Sequence, residues 1–260
     1  MSKVDEYRET LKKLEDWDDY LRAESNLPGP RGNLELAHAA ADLEDRERIE
    51  HFLTFDSQCA PVNTPDEFLA FCGVEGLGRL IAEGQSDLWP ILRTNASDTR
   101  WRIREAVAMA LQRVGQVDMD LLLDKMEDWV TGNWLEMRAA AAGLAEPSLL
   151  QEEAHTLRAL EILDQITSAV EAAQERDNPV SSRKNMMKRD EDFKTLCKGL
   201  SYCWSVVVAA LPSQGKAAME RWLTSTDKDV RRIMKENLKK NRLVKMDRAW
   251  VEACQAQISA

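Results

Sequence analysis

The feature that most constrains the fold of this chain is a helical-hairpin pattern that recurs three times along the sequence. Each copy is anchored on one arginine, and the first two anchors are 34 residues apart. A period of that size, holding two amphipathic helices and a short polar turn, is typical of helical solenoids, because a single hairpin cannot bury its apolar face alone. The three anchors are Arg104, Arg138 and Arg231.

The residues around the anchors align without gaps and predict helix pairs over 88–114, 121–144 and 216–240. Small alanines near the second helices favour close stacking of neighbouring pairs. The aligned apolar residues are Leu92, Met126 and Met219 twelve before the anchor, Trp129 and Trp222 nine before it, Ile103, Met137 and Val230 directly before it, and Val107, Ala141 and Met234 three after it.

The other segments also read as helix. Only 11 Gly and 8 Pro interrupt the 260 residues, which leaves few obligatory turns. Between the second and third copies the sequence predicts one oversized hairpin, with a helix over about 148–175, a long polar loop over 177–190 and a partner helix over about 190–211. The loop is longer than packing requires, which makes it a candidate mobile or functional segment.

Towards the N-terminus, an apolar stripe from Val4 to Leu21 predicts one opening helix. Thr64, Pro65 and Glu67 together form a helix-start signal. The glycines Gly73, Gly76 and Gly78 that follow predict a break between two helices. We therefore expect N-terminal helices over 1–64 that pack on a continuous helical-repeat domain over 65–260.

Composition and charge exclude several classes of protein. A hydrophobic content of 44% is too high for disorder, and no apolar run is long enough to span a membrane. The charged N-terminus lacks a signal region, and five widely spaced cysteines fit buried thiols, so we expect a cytoplasmic protein. The net charge of −10 is uneven: residues 1–56 hold 15 Asp/Glu against 8 Lys/Arg, and residues 228–248 hold 9 Lys/Arg against 3 Asp/Glu.

The sequence contains no recognisable catalytic set. Its three histidines do not lie beside a serine or cysteine in a recognisable turn, and G-x-S-x-G is absent. Neither H-E-x-x-H nor paired C-x-x-C occurs, and the glycines of 73–78 stand in the wrong order for a dinucleotide loop. We expect no metal, no cofactor and binding in preference to catalysis.

The turn residues resemble those of the HEAT-repeat family, whose hairpins carry an Asp and, six residues later, an Arg or Lys. Asp98 and Arg104 have that spacing, whereas the other two copies have Gly132 and Ser225 in place of the Asp. The resemblance covers roughly residues 66–245 and is interrupted in the middle. It implies an all-α, α-α superhelix of stacked hairpins, used as an interaction scaffold that binds a protein partner through its concave face.

A weaker resemblance connects the turns at 98–106 and 133–140 with HEAT-like DNA alkylation-repair glycosylases. Those proteins hold damaged DNA in a basic groove with aromatic residues and a carboxylate, which here gives Asp98, Asp128 and Glu136 as candidates that capping explains better. Both hypotheses depend on basic and aromatic side chains, and nucleic acid stays the alternative partner. The candidate binding residues are Arg183, Lys184, Lys188 and Arg189 on the long loop, Arg231, Arg232 and Lys235 on the last repeat, and Trp101 and Trp134 at the turns.

Overall fold

The computed structural model describes the backbone of residues 2–173 and 183–259, and the side chains of residues 2–173 and 190–258. Within these ranges the chain forms fifteen α-helices and no strand, so the all-α prediction is confirmed. Contacts between Cα atoms divide the chain into two compact units, Met1–Val117 and Asp118–Ala260.

The first unit is organised around its longest helix, α5. The helices α2, α3, α4, α6 and α7 all contact α5, and α1 packs on α3. The helices that precede residue 65 therefore pack on the first helix of the predicted repeat domain. The seven helices are α1 (Lys3–Leu11), α2 (Asp18–Glu24), α3 (Leu34–Ala41), α4 (Arg46–Leu53), α5 (Pro65–Ala82), α6 (Trp89–Asn95) and α7 (Trp101–Val117).

Helix α5 begins where its start signal predicts. Pro65 is its first residue, and the Thr64 hydroxyl accepts a hydrogen bond from the Glu67 amide at 3.3 Å. The Glu67 carboxylate in turn accepts from the Asn63 amide at 2.7 Å, so side chains satisfy two backbone donors at this end.

The predicted break at the glycines is wrong, because Gly73, Gly76 and Gly78 all lie inside the continuous helix α5. Each allows a neighbour to approach more closely than a side chain would permit. A Cβ atom on Gly78 would lie 2.3 Å from the Ala110 carbonyl oxygen of α7, and one on Gly73 would lie 2.7 Å from Cβ of Phe52. The glycines therefore serve packing.

The single opening helix is also wrong, because the chain forms α1 and α2 with a turn between them. Trp17 lies in that turn, is 4% exposed, and donates a hydrogen bond from its indole nitrogen to the Leu11 carbonyl at 3.0 Å. Burial of this ring bends the chain away from the straight course that the apolar stripe suggested.

The second unit arranges its helices in two rows. Helices α8, α10 and α12 contact one another in that order, and so do α9, α11 and α13, while α14 and α15 follow against α11, α12 and α13. The eight helices are α8 (Met119–Trp129), α9 (Trp134–Leu144), α10 (Glu153–Glu171), α11 (Arg183–Ala210), α12 (Pro212–Leu223), α13 (Lys228–Leu238), α14 (Asn241–Met246) and α15 (Arg248–Ser259).

The three predicted helix pairs are present as α6–α7, α8–α9 and α12–α13, each with its two helices in contact. The alignment also placed most of its apolar positions correctly in the core. Exposure is 8% or less at all of the following aligned residues: Leu92, Met126, Met219, Ile103, Met137, Val230, Val107, Ala141 and Met234.

The oversized hairpin exists as the contacting pair α10–α11, but its second helix begins at Arg183 and not near residue 190. Residues 183–189 therefore belong to a helix and not to the predicted loop. The remainder of that predicted loop, up to residue 182, lies outside the described residues.

The aligned tryptophans Trp129 and Trp222 differ in burial. Trp129 is 2% exposed, whereas Trp222 is half-buried and donates from its indole nitrogen to the Asp164 carboxylate at 2.9 Å. The prediction of equal burial is thus wrong for Trp222, whose ring reaches a surface carboxylate of α10. Trp89 and Trp204 are also buried.

We expect Gly78→Ala to destabilise the protein by at least about 2 kcal/mol, since the added methyl group meets the α7 backbone, which cannot rotate away. The better helix propensity of alanine offsets only about 1 kcal/mol of this loss. Gly199→Ala is the matched control, because its Cβ would meet only the flexible Arg138 side chain at 3.3 Å. Urea denaturation compares the two, and equal stabilities would contradict the close approach of α5 and α7.

We expect Trp129→Ala to cost about 3–5 kcal/mol, as is usual for a fully buried ring. Trp222→Ala should cost less, because its ring keeps water contact in the native state. The measurement is the free energy of unfolding of each variant. An equal or larger loss at Trp222 would show that the half-buried ring contributes more than its packing suggests.

Candidate functional site

The start of helix α13 fixes the orientation of the basic residues that follow it. The Asp227 carboxylate accepts hydrogen bonds from the amides of Asp229 and Val230, both at 2.8 Å, and so caps the helix. Val230 and Ile233 on one side of α13 are completely buried. The charged residues between them are consequently directed away from the core.

These charged residues line an open groove of about 670 Å³ between α13 and α15. The α15 side contributes Gln255 and Ile258 near the end of that helix. We call this surface the basic groove, because five of the six charged residues that line it are cationic. They are Lys228, Arg231, Arg232, Lys235 and Lys239, and the anion is Glu236.

Three of the five cations have partners. Arg231 donates from Nη2 to the Ile258 carbonyl at 2.5 Å, Arg232 pairs with Asp229 at 2.9 Å, and Lys239 pairs with Glu236 at 2.5 Å. The hydrogen bond from Lys239 lowers the pKa of Glu236 below its usual range.

The two remaining cations, Lys228 and Lys235, form no hydrogen bond or ion pair within the described part of the chain. Their ammonium groups are open to a ligand. The bond to Ile258 meanwhile gives the Arg231 guanidinium a defined position. The groove therefore combines one oriented guanidinium with two lysines that can contact an anionic ligand.

The structure thus brings Arg231, Arg232 and Lys235 together on one surface. The side chains of the other four basic candidates, Arg183, Lys184, Lys188 and Arg189, lie outside those that the structure describes. Their approach to the same surface stays a prediction.

The two candidate tryptophans each begin a second helix, as predicted. Trp134 is half-buried and packs edge to face on Phe193 of α11, with ring centroids 5.3 Å apart. That contact is a packing contact between neighbouring helices of the second unit. Trp101, which is 44% exposed, lies in the first unit.

The Trp101 side chain lines a pocket of about 230 Å³ that the sequence did not predict, which we call the aromatic pocket. Its walls come from three separate segments of the first unit. The residues that matter for its chemistry are Arg31, Phe68, Phe71, Trp101, Arg102 and Glu105.

The carboxylates near the turns have structural partners. Asp98 accepts from the Arg100 amide at 2.7 Å and pairs with the Arg100 guanidinium, while the Asp98 carbonyl accepts from Arg104 at 2.6 Å. The HEAT-like spacing of Asp98 and Arg104 therefore corresponds to a contact through the main-chain oxygen. Glu136 accepts a hydrogen bond from the side-chain Nδ2 of Asn133 at 2.9 Å, and Asn133 also caps α9.

A cluster of titratable groups lies in the core of the first unit. Glu75 is fully buried and accepts from His38 at 2.6 Å and from Arg113 at 2.8 Å. The hydrogen bond to Glu75 raises the pKa of His38. Among the described residues, no group of three or more His, Cys, Asp or Glu side chains is placed to hold a metal ion.

Glu44 lies beside this cluster and is fully buried. Neither of its carboxyl oxygens has a hydrogen-bond partner in the described chain. Burial, together with the nearby Glu75 charge, raises the pKa of Glu44 to about 8, so this side chain is protonated at neutral pH.

Comparison of the chain with protein-family models, curated proteins and solved structures finds no match. No helix in the described ranges combines the length and the apolar character needed to cross a membrane.

We expect Glu44→Gln to change how stability depends on pH. The folded state keeps the Glu44 proton up to about pH 8, whereas the unfolded chain loses it near 4.5, so wild-type stability falls as pH rises through this window. The variant lacks this loss. Its stability relative to wild type should therefore rise by about 3–5 kcal/mol between the two ends of the window.

Chemical denaturation at several pH values measures that difference. Glu252→Gln makes the same substitution at an exposed position of α15 and is the matched control, which should show no such gain. A difference between Glu44→Gln and wild type that does not vary with pH would show that Glu44 is ionised in the folded protein.

Proposed function

We propose that this chain is an interaction protein whose basic groove binds an acidic segment of a partner protein. The observation that carries the proposal is the arrangement of five cations and one anion along α13, with Lys228 and Lys235 open to a ligand. A carboxylate-rich segment would gain ion pairs with these lysines and with Arg231, which is already oriented.

We also propose that the helix pairs are HEAT-like repeats. Supporting this, ten of the eleven aligned apolar residues are buried, all except Trp222, and the second unit has its helices in two rows with α10–α11 between α8–α9 and α12–α13. In repeats of this kind the surface of the second helices is available for partners. The basic groove lies on such a helix, α13.

A short acidic polypeptide fits the groove better than a long nucleic acid does. The chain as a whole carries a net charge of −10, and residues 1–56 alone carry −7. The net negative charge repels a long polyanion, whereas a short segment contacts only the cations of α13.

DNA binding is the second candidate, because phosphates would also be attracted to the same cations. The glycosylase form of this hypothesis needs a carboxylate at the site of chemistry. Of the three candidates, Asp98 is engaged by Arg100 and Glu136 by Asn133, which supports structural roles for both. DNA binding without a glycosylase reaction would require only the basic groove.

The first experiment measures the affinity of a fluorescent peptide rich in Glu and Asp, together with a twin in which each is replaced by Gln or Asn. We expect the acidic peptide alone to bind, with affinity that falls as salt rises from about 50 mM to about 200 mM, because the contacts are solvent-exposed. Absence of acidic-peptide binding at low salt, or equal binding of the neutral twin, would contradict the proposal.

Charge-removal variants then locate the binding site. The double variant Lys228→Ala/Lys235→Ala should weaken acidic-peptide binding between about fivefold and thirtyfold, since each exposed ion pair contributes up to about 1 kcal/mol. The matched control is Lys12→Ala/Lys13→Ala, which removes two exposed lysines from the first unit. Equal weakening by both double variants would indicate a general charge effect rather than a site.

Titration with short duplex and single-stranded DNA separates the two partners. Tight binding of DNA that weakens steeply with salt, and that is lost on neutralising Arg231, Arg232 and Lys235, would favour nucleic acid over the protein partner. Absence of DNA binding even at low salt would remove the glycosylase alternative.

A further inference from the structure

The aromatic pocket lies where three segments of the first unit meet. Phe68 and Phe71, one helical turn apart near the start of α5, are each 2% exposed and form its floor. Trp101 at the start of α7 forms one wall, and Arg31 in the segment before α3 lies at its rim. The two phenyl rings are nearly parallel, with an interplanar angle of 8° and ring centroids 6.2 Å apart.

Arg102 holds the three segments together. It is 4% exposed, donates from Nη2 to the Gly29 carbonyl at 2.7 Å and pairs through Nη1 with Glu67 of α5 at 3.2 Å. Its guanidinium carbon also lies 4.3 Å from the centroid of the Trp101 ring. These contacts fix the position of Trp101 and of the segment that carries Arg31, so the pocket is formed before any ligand binds.

These contacts of Arg102 with Gly29, Glu67 and Trp101, which we call the Arg102 clamp, leave two polar atoms without partners. Nε of Arg102 and Oε1 of Glu67 are buried and have no hydrogen-bond partner within the described chain. Such atoms cost free energy in a folded protein, and a native structure keeps few of them. Because Arg102 lines the pocket, a polar ligand group there would lie beside an incompletely satisfied guanidinium.

The mouth of the pocket carries two further free donors. The Arg31 guanidinium is exposed and forms no hydrogen bond or ion pair with the described residues. The indole N–H of Trp101 likewise has no acceptor there, and 44% of this residue is exposed. The one acidic lining residue, Glu105, has an interaction partner of its own.

The apolar floor and the donors at the rim require a ligand with two different ends. A volume of about 230 Å³ is enough for one aromatic ring with a short substituent and too small for a dinucleotide. The aromatic ring of such a ligand would pack beside Phe68 and Phe71 and would cover the exposed surface of the Trp101 ring. A carboxylate at the rim would pair with Arg31 and accept from the Trp101 N–H.

We propose that the aromatic pocket is a binding site for a small aryl carboxylate, with its ring against the phenyl and indole walls and its carboxylate on Arg31. This site is separate from the basic groove, and neither proposal depends on the other. Its ligand is a small molecule, whereas the groove binds a polypeptide.

The test uses the full chain and phenylacetate as the probe, followed by two-dimensional NMR or calorimetry. We expect saturable binding of phenylacetate and at least about tenfold weaker binding of neutral phenylacetamide, because the amide cannot form the ion pair with Arg31. Absence of saturable binding up to about 10 mM phenylacetate would overturn the proposal. Equal binding of the acid and the amide would overturn the role of Arg31.

Two variants at exposed positions locate the ligand, and both keep the partners of Arg102 at Gly29 and Glu67. Arg31→Ala should weaken phenylacetate binding about tenfold and leave phenylacetamide binding unchanged, and Trp101→Ala should abolish binding of both. Arg248→Ala, which removes an exposed arginine from the second unit, is the control and should have no effect. Binding that survives both Arg31→Ala and Trp101→Ala would place the ligand elsewhere and refute the site.

Discussion

The close approach of α5 and α7 is the constraint on which the first unit depends. Gly78 leaves room for the Ala110 backbone, so the two helix axes lie closer together than side chains would allow. Two ion pairs, Glu67–Arg102 and Glu75–Arg113, also join these helices. Residue numbers rise along both helices from the first pair to the second, so α5 and α7 run in the same direction. The starts of α5 and α7 are thereby brought side by side, which assembles the aromatic pocket.

The same contact explains what the sequence could and could not predict. Apolar residues at helical spacing predicted the helix pairs and the burial of Met126 and Met219, because that pattern depends on local geometry alone. The role of Gly78 depends on Ala110, 32 positions along the chain, and no local pattern contains that information. The low helix propensity of glycine therefore predicts a break, and the tertiary contact overrides that propensity.

The candidate sites show the same division. Helical spacing was sufficient to place Arg231, Arg232 and Lys235 on one surface, since they share one helix. The contribution of α15 to the groove was not predictable, because it follows from packing between helices. The aromatic pocket was not predictable for the same reason, because its walls come from three segments that meet only in the folded chain.

The row formed by α9, α11 and α13 has a consequence for local unfolding in the second unit. Helices that contact their neighbours in series open locally in blocks, and the free energy of opening a block depends on the helices beside it. Helix α11 has a neighbour of the same row on each side, whereas α13 is the last helix of its row and is followed by α14 and α15. A partner held by α13 would add its binding free energy to that end of the row first. Amide hydrogen exchange would then slow in α13 and also in α11, which contacts it. Binding at the basic groove would thus be detectable in α11 without any change in the arrangement of the helices.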